Sequence, residues 1–206
     1  MIKINLITLL KLSLDDLVDL KRQHFMNILY DKDNGIATLK GKSRISVRTY
    51  LVKLIYMFVN KPSFLFNGFM NFMLTGPAGS GKTKVAGVIA NLLKNLGFLA
   101  KNNVIYATKQ NLISQNIGGT ALKTRKQLID GFESVIFIDE AYTITPCKER
   151  SSNTTFSEEA IGELINFIDK FIGCYCLIVA GYKKQMYDCF LTFNEGIARR
   201  FPRVID

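Results

Sequence analysis

Long hydrophobic runs are missing from this 206-residue chain. The longest, such as Leu54 to Val59 and Val135 to Ile138, fall far short of the roughly 18 residues that a membrane-spanning helix needs. Histidine is nearly absent too: His24 is alone, and the four cysteines, Cys147, Cys174, Cys176 and Cys189, show no paired C-x-x-C spacing. A zinc site is therefore not expected, and the cysteines read as reduced thiols packed as small hydrophobes, with Cys174 and Cys176 on one side of a strand. At the start, Lys11, Asp15 and Asp16 stand where a small-residue cleavage site would follow an apolar stretch, so no signal peptide is expected. These absences imply an intracellular, cytoplasmic setting, a viral or organellar source included. Acidic residues are scarce: 17 Asp and Glu face 27 Lys and Arg, a formal net charge of +10. That balance favours polyanions as partners. With 48% hydrophobic and 21% charged residues and no repeat or low-complexity run, disorder and fibrous architectures are excluded.

What is present falls into two parts, 1–64 and 65–206. Ser13 followed by Leu14, Asp15 and Asp16 resembles an N-cap with acids in a first helical turn. Leu14, Leu17, Val18, Phe25, Ile28 and Leu29 recur at helical spacing, so one face of this helix should pack inward. Residues 31–43 read as a loop. A second helix is expected over Arg44 to Asn60, ended by Pro62. Together they form a basic helical prefix, whose lysines read as a solvated face or as a nucleic-acid patch.

After Pro62 short apolar runs alternate with helical patterns, the signature of an α/β fold with a parallel sheet covered by helices on both faces. Strands are expected over Phe69–Thr75, Asn103–Thr108, Ser134–Asp139, Cys174–Gly181 and from Arg203. Helices are expected over Lys82–Leu96, stopped at Gly97, over Ala121–Gly131, and from a Ser157 cap to about Ile172.

Between the first of these strands and its helix lies Gly76-Pro77-Ala78-Gly79-Ser80-Gly81-Lys82-Thr83, which fits the P-loop pattern G-x-x-x-x-G-K-[ST]. The three glycines permit backbone conformations and close approaches that a Cβ obstructs. Successive N–H groups can then curl around a phosphate at a helix N-terminus. In that pattern Lys82 reaches the β- and γ-phosphates of ATP and Thr83 ligates Mg²⁺. The buried run Val135 to Ile138 ends in Asp139 and Glu140, at the carboxyl end of a strand, where open α/β sheets bind ligands. Asp139 would hold Mg²⁺, directly or through water. Glu140 is the group that can polarise a water for attack on the γ-phosphate, which argues for hydrolysis over transfer to a small molecule.

The chain from about residue 70 onward resembles the AAA+ ATPases, within them the branch of the red-type rubisco activase CbbX and stage V sporulation protein K. The resemblance rests on Leu74 to Thr83, on Leu112-Ile113 through Ile117-Gly118-Gly119-Thr120 to Thr124, and on VIFIDEAY from Val135 to Tyr142. It also rests on Val179-Ala180-Gly181-Tyr182 with Met186, and on Asn194 to Phe201. It implies a P-loop fold and a ring-forming, usually hexameric, ATPase that remodels a protein partner. It also implies that Arg200 is the arginine finger acting on a neighbouring subunit's site, with Arg199 able to exchange roles, and that the sensor falls near Gly181 and Tyr182. Two departures stand out. The pore loop reads Asn116-Ile117-Gly118, without the aromatic residue that supplies broad contact to a threaded chain. The last residue, Asp206, falls where the family begins a helical lid.

Three functions fit these residues. The first is Mg²⁺-dependent ATP hydrolysis coupled to remodelling of a protein. The second is a nucleotide-dependent scaffold or switch with little turnover, suggested by Asn116 and the missing lid. The third is an ATPase stimulated by nucleic acid, suggested by charge alone.

Overall fold

A computed structural model describes residues 23–24, 26–40, 45–60, 70–116, 118–147 and 154–206. The Ser13 cap and its first-turn acids, Leu14, Leu17, Val18, Phe25, Pro62 and Ile117 lie outside them. Five strands, β1 (Phe72–Thr75), β2 (Val104–Ala107), β3 (Val135–Ile138), β4 (Cys176–Gly181) and β5 (Arg203–Ile205), form one sheet in the order β2-β3-β4-β1-β5. Every pairing is parallel. Helices are α1 (Ile45–Asn60), α2 (Lys82–Asn95), the single turn α3 (Lys109–Leu112), α4 (Thr120–Asp130) and α5 (Thr154–Lys170). Then comes α6, in three consecutive pieces, Lys183–Gln185, a π-helical Met186–Phe190 and Leu191–Phe193, followed by α7 (Glu195–Arg200).

The central strands are apolar throughout because both faces are covered. All four residues of β1 and of β3, and all six of β4, are buried. Their side chains alternate between two cores, as the pleat requires. Phe72, Leu74, Val135, Phe137, Cys176, Ile178 and Ala180 face one; Met73, Ile136, Ile138, Leu177 and Val179 face the other. The first core is closed by α2 and also by Ile28, Ile36, Leu39, Val47, Leu51, Leu54 and Ile55. Residues upstream of 64 thus share a core with the sheet. The expected loop at 31–43 holds a 3-10 turn, Ile36–Thr38, with Ile36 and Leu39 buried. Asn91 of α2 holds this stretch by donating its amide to the carbonyls of Asn27 (3.0 Å) and Asn34 (3.2 Å).

Element boundaries agree with the sequence reading to within a few residues. At the end of α2, the N–H groups of Gly97 and Phe98 bond back to Lys94 and Leu93, with Gly97 at φ +81°, a helix-stop geometry that glycine favours. Ser157 does not cap α5, which starts at Thr154; with Thr154, Thr155 and Ser157 together, hydroxyl preference alone does not single out a start.

The cysteines depart further from expectation. Cys147 and Cys189 form a disulfide, their Cα atoms 4.5 Å apart, so these two are not reduced thiols. Cys174 and Cys176 do not share a strand face either: β4 begins only at Cys176, and Cys174 sits exposed in the preceding turn. Cys176 is a buried small hydrophobe, as expected, and burial pushes its thiol pKa well up.

Asn71, just before β1, is a buried polar fastener. Its amide donates to the carbonyl of Arg200 at 3.0 Å and its carbonyl accepts the N–H of Leu177 at 3.2 Å, joining the end of α7 to β4. Asn71→Ala strands both buried backbone groups, at about 2–4 kcal/mol. The expected fall in Tm is roughly 4–16 °C, read by thermal circular dichroism; an unchanged Tm would remove the fastening role.

Candidate functional site

The site lies at the carboxyl ends of β1, β3 and β4. From Thr75 the chain enters the glycine loop and leaves it as α2. Gly79 and Gly81 have φ of +71° and +86°, left-handed values that any side chain would strain. The N–H of Gly76 bonds to the carbonyl of Gly181 at 3.2 Å, so the loop starts from a point anchored on β4. Pro77 to Ser80 are exposed, and Thr83 is exposed in the first turn of α2. The Lys82 ammonium donates to the carbonyls of Gly76 and Pro77, each at 3.0 Å, and stands 5.8 Å from the centre of the Tyr182 ring. A cavity of about 380 Å³ opens beside the loop, lined among others by Val47, Ser80, Lys82, Val85 and Asp206.

At the end of β3, Asp139 and Glu140 are both half-buried. Asp139 Oδ1 accepts the N–H of Glu140 at 3.0 Å. Glu140 has φ +50°, uncommon for a residue with a side chain and costing on the order of 1 kcal/mol. Its carboxyl pKa is raised, first by burial and then by the charge of Asp139, with the Lys82 ammonium opposing. Glu140 therefore feels the charges of both Asp139 and Lys82. Thr83 and Asp139 supply hard oxygens of the kind that Mg²⁺ takes.

Several groups here went unassigned by the sequence reading. The Tyr142 hydroxyl donates to Glu140 Oε2. Asp206 accepts from Thr75 Oγ1 and pairs with Lys183 at 2.6 Å; the Lys183 ammonium and then the Thr75 hydroxyl hold its carboxyl below the usual range. Both contacts join residues far apart in sequence, which only the sheet order brings together.

Arg200 is buried and paired within the chain. It is 3% exposed, its Nε donates to Asp169 Oδ1 at 2.8 Å, its Nη2 to Asp169 Oδ2, and its Nη1 to the carbonyl of Gly196 at 2.7 Å. The paired guanidinium holds the Asp169 carboxyl below its ordinary pKa. Arg199 is exposed. Asn116 and Gly118 sit on the surface loop between α3 and α4, with the Asn116 N–H bonded to Ser114 Oγ at 3.1 Å. Gly181 is the last residue of β4 and Tyr182 follows it, beside the glycine loop. Among the described residues no group of three or more His, Cys, Asp or Glu gathers, and no helix is long and apolar enough to cross a membrane.

Comparison with known proteins agrees with this geometry. The profile of the "ATPase family associated with various cellular activities (AAA)" matches residues 72–203. The chain is 36% identical over 137 residues to stage V sporulation protein K of Bacillus subtilis (strain 168), covering 66% of this chain and 41% of that protein. It is 34% identical over 186 residues to the chloroplastic ribulose bisphosphate carboxylase/oxygenase activase of Cyanidioschyzon merolae (strain NIES-3377 / 10D), covering 88% and 61%. To the ESX-3 secretion system protein EccA3 of Mycolicibacterium smegmatis it is 36% identical over 136 residues, covering 66% of this chain and 22% of that protein. The matched stretches thus span 22% to 61% of the length of these relatives.

Proposed function

The chain belongs to the AAA family of ATPases, and from that premise we propose that it binds ATP with Mg²⁺ at Gly76–Thr83, hydrolyses it, and couples turnover to remodelling of a protein partner as a homo-oligomer. The observation that carries this reading is the meeting of a glycine loop, with Gly79 and Gly81 left-handed, and an acid, Glu140, whose charge is coupled to Lys82.

In this reading the backbone N–H groups of the loop and Lys82 bind the β- and γ-phosphates. Mg²⁺, held by Thr83 and Asp139, would neutralise phosphate charge as the terminal P–O bond breaks. Glu140 takes the proton of the attacking water. Burial and the neighbouring Asp139 raise its affinity for that proton, which suits a base working near neutral pH. A cation from a neighbouring subunit would meet the transition-state charge. As α7 stands, the arginine able to reach outward is Arg199; Arg200 could do so only after its pair with Asp169 opens. The relatives' names, an activase, a sporulation protein and a secretion-system protein, support a protein partner without identifying it.

A second reading is favoured by one observation. The sequestered Arg200 suits a nucleotide-dependent scaffold that turns ATP over slowly. Steady-state hydrolysis as a function of protein concentration, with Lys82→Ala as the blank, separates the two. Specific activity that climbs with concentration is expected for catalysis across an interface. Blank-level activity at every concentration, alongside measurable nucleotide binding, would leave the scaffold.

A further inference from the structure

Tyr142 makes a contact that packing alone does not call for. Glu140, in its left-handed conformation, turns the chain from β3 into the 3-10 turn Ala141–Ile144, and Tyr142 comes back over the acid so that its hydroxyl donates to Glu140 Oε2. The ring has a prepared seat. A Cβ at Gly181 would lie 2.8 Å from Tyr142 Cδ1 and 2.9 Å from Met186 Sδ, so the ring can rest on the end of β4 only because residue 181 is glycine. The same residue accepts the N–H of Gly76. On its other side the Tyr142 ring stands 6.1 Å, centre to centre, from Tyr182, whose face carries the Lys82 ammonium at 5.8 Å. The acid, its phenol, the seat on β4 and the phosphate-loop lysine form one contiguous set.

We propose that Tyr142 is the positioning residue for Glu140, its hydroxyl holding the carboxylate in register with the glycine loop while Gly181 fixes the ring. The inference rests on the reading of Glu140 as the base. A glutamate has three rotatable side-chain bonds, and a base displaced by about 1 Å can lose up to roughly 10²-fold in rate. One oriented hydrogen bond from a ring wedged against β4 removes that freedom before substrate arrives. Tyr142→Phe keeps the ring and its seat and deletes only the donor.

The test measures kcat for ATP with excess Mg²⁺, the Kd for ATP, and Tm in four proteins: parent, Tyr142→Phe, Glu140→Gln and the double variant. Tyr142→Phe is expected to lower kcat by about 10-fold while Kd stays within about twofold. Because Tyr142 acts through Glu140, adding Tyr142→Phe to Glu140→Gln should cost less than about twofold more. Gly181→Ala, which pushes the ring off its seat with the hydroxyl intact, should lower kcat as well and guards against a Tyr142→Phe protein that folds poorly; its Kd is left out of the comparison, because the Gly181 carbonyl also holds the N–H of Gly76. Parent-level or raised kcat in Tyr142→Phe beside a slow Glu140→Gln overturns this inference alone. Parent-level kcat in Glu140→Gln overturns the base assignment and this inference with it. A Tyr142→Phe effect that appears equally in Kd, or that adds in full to Glu140→Gln, assigns Tyr142 to packing and overturns positioning.

Discussion

Glu140→Gln is expected to lower ATP turnover by about 10²- to 10⁴-fold while leaving nucleotide affinity within a few-fold of the parent. The two observables part because they depend on different segments. In the proposed reading, affinity comes from the loop Gly76–Thr83 and the cavity beside it, where Glu140 is not among the lining residues. Turnover needs a group that accepts a proton, and a glutamine of the same shape cannot. The replacement also removes one of two adjacent negative charges at the end of β3, since the charge of Asp139 raises the Glu140 pKa, so phosphate binding should if anything tighten. Lys82→Ala is expected to differ, losing affinity along with turnover, because in the same reading the ammonium serves the phosphates directly. Equilibrium binding and steady-state rates on the two variants give the comparison. Parent-level turnover in Glu140→Gln would take the water-activating role away from this residue.

Reduction of Cys147–Cys189 is expected to lower Tm by roughly 8–16 °C. The bond closes a loop with a sequence separation of 42 residues, and the chain-entropy relation assigns such a loop about 4 kcal/mol of constraint on the unfolded state. For a domain of this size each kcal/mol moves Tm by about 2–4 °C. Paired melts with and without a reductant measure the shift, and a protein carrying Cys147→Ser and Cys189→Ser together should melt at the lower temperature in both. Parent melts that coincide with and without reductant would refute the stabilisation. The constraint also bears on the site, since Cys147 lies shortly after Tyr142 and Cys189 shortly after Tyr182, the two rings that stand side by side.

How far these features could be read from residues alone depends on what the physics demands locally. The phosphate loop is legible because its backbone needs glycine at set intervals between an apolar run and a helix, and Gly79 and Gly81 take the left-handed values that this requires. The end of β3 is legible because a strand buried on both faces cannot carry Asp139 and Glu140 anywhere but its rim. The Asp169–Arg200 pair is not legible: it joins α5 to α7 across 31 positions, and a buried arginine looks in sequence like an exposed one. The disulfide escaped notice for the same reason, neither cysteine having a near neighbour of its kind. Tyr142 stood in plain view two residues after Glu140, but only the left-handed backbone at Glu140 folds its hydroxyl back onto the carboxylate. Ile36 and Leu39 were hidden in a stretch with Gly35 and Gly41 that reads as a connection; tertiary burial, which no local pattern reports, draws them into the core.

The loop closed by Cys147 and Cys189 contains α5 and β4, and it also contains the exposed Lys183 and Lys184. A protease that cleaves there divides the backbone between the part carrying Lys82, Asp139 and Glu140 and the part carrying Arg199, Arg200 and β5. The pieces do not come apart, because each retains one of the two joined sulfurs. While the bond is oxidised, a nicked chain remains a single covalent body holding both the glycine loop with its acids and the two arginines of α7. Once it is reduced, the same nick leaves those two parts held together by non-covalent contacts alone, among them the pairing of β1 with β5.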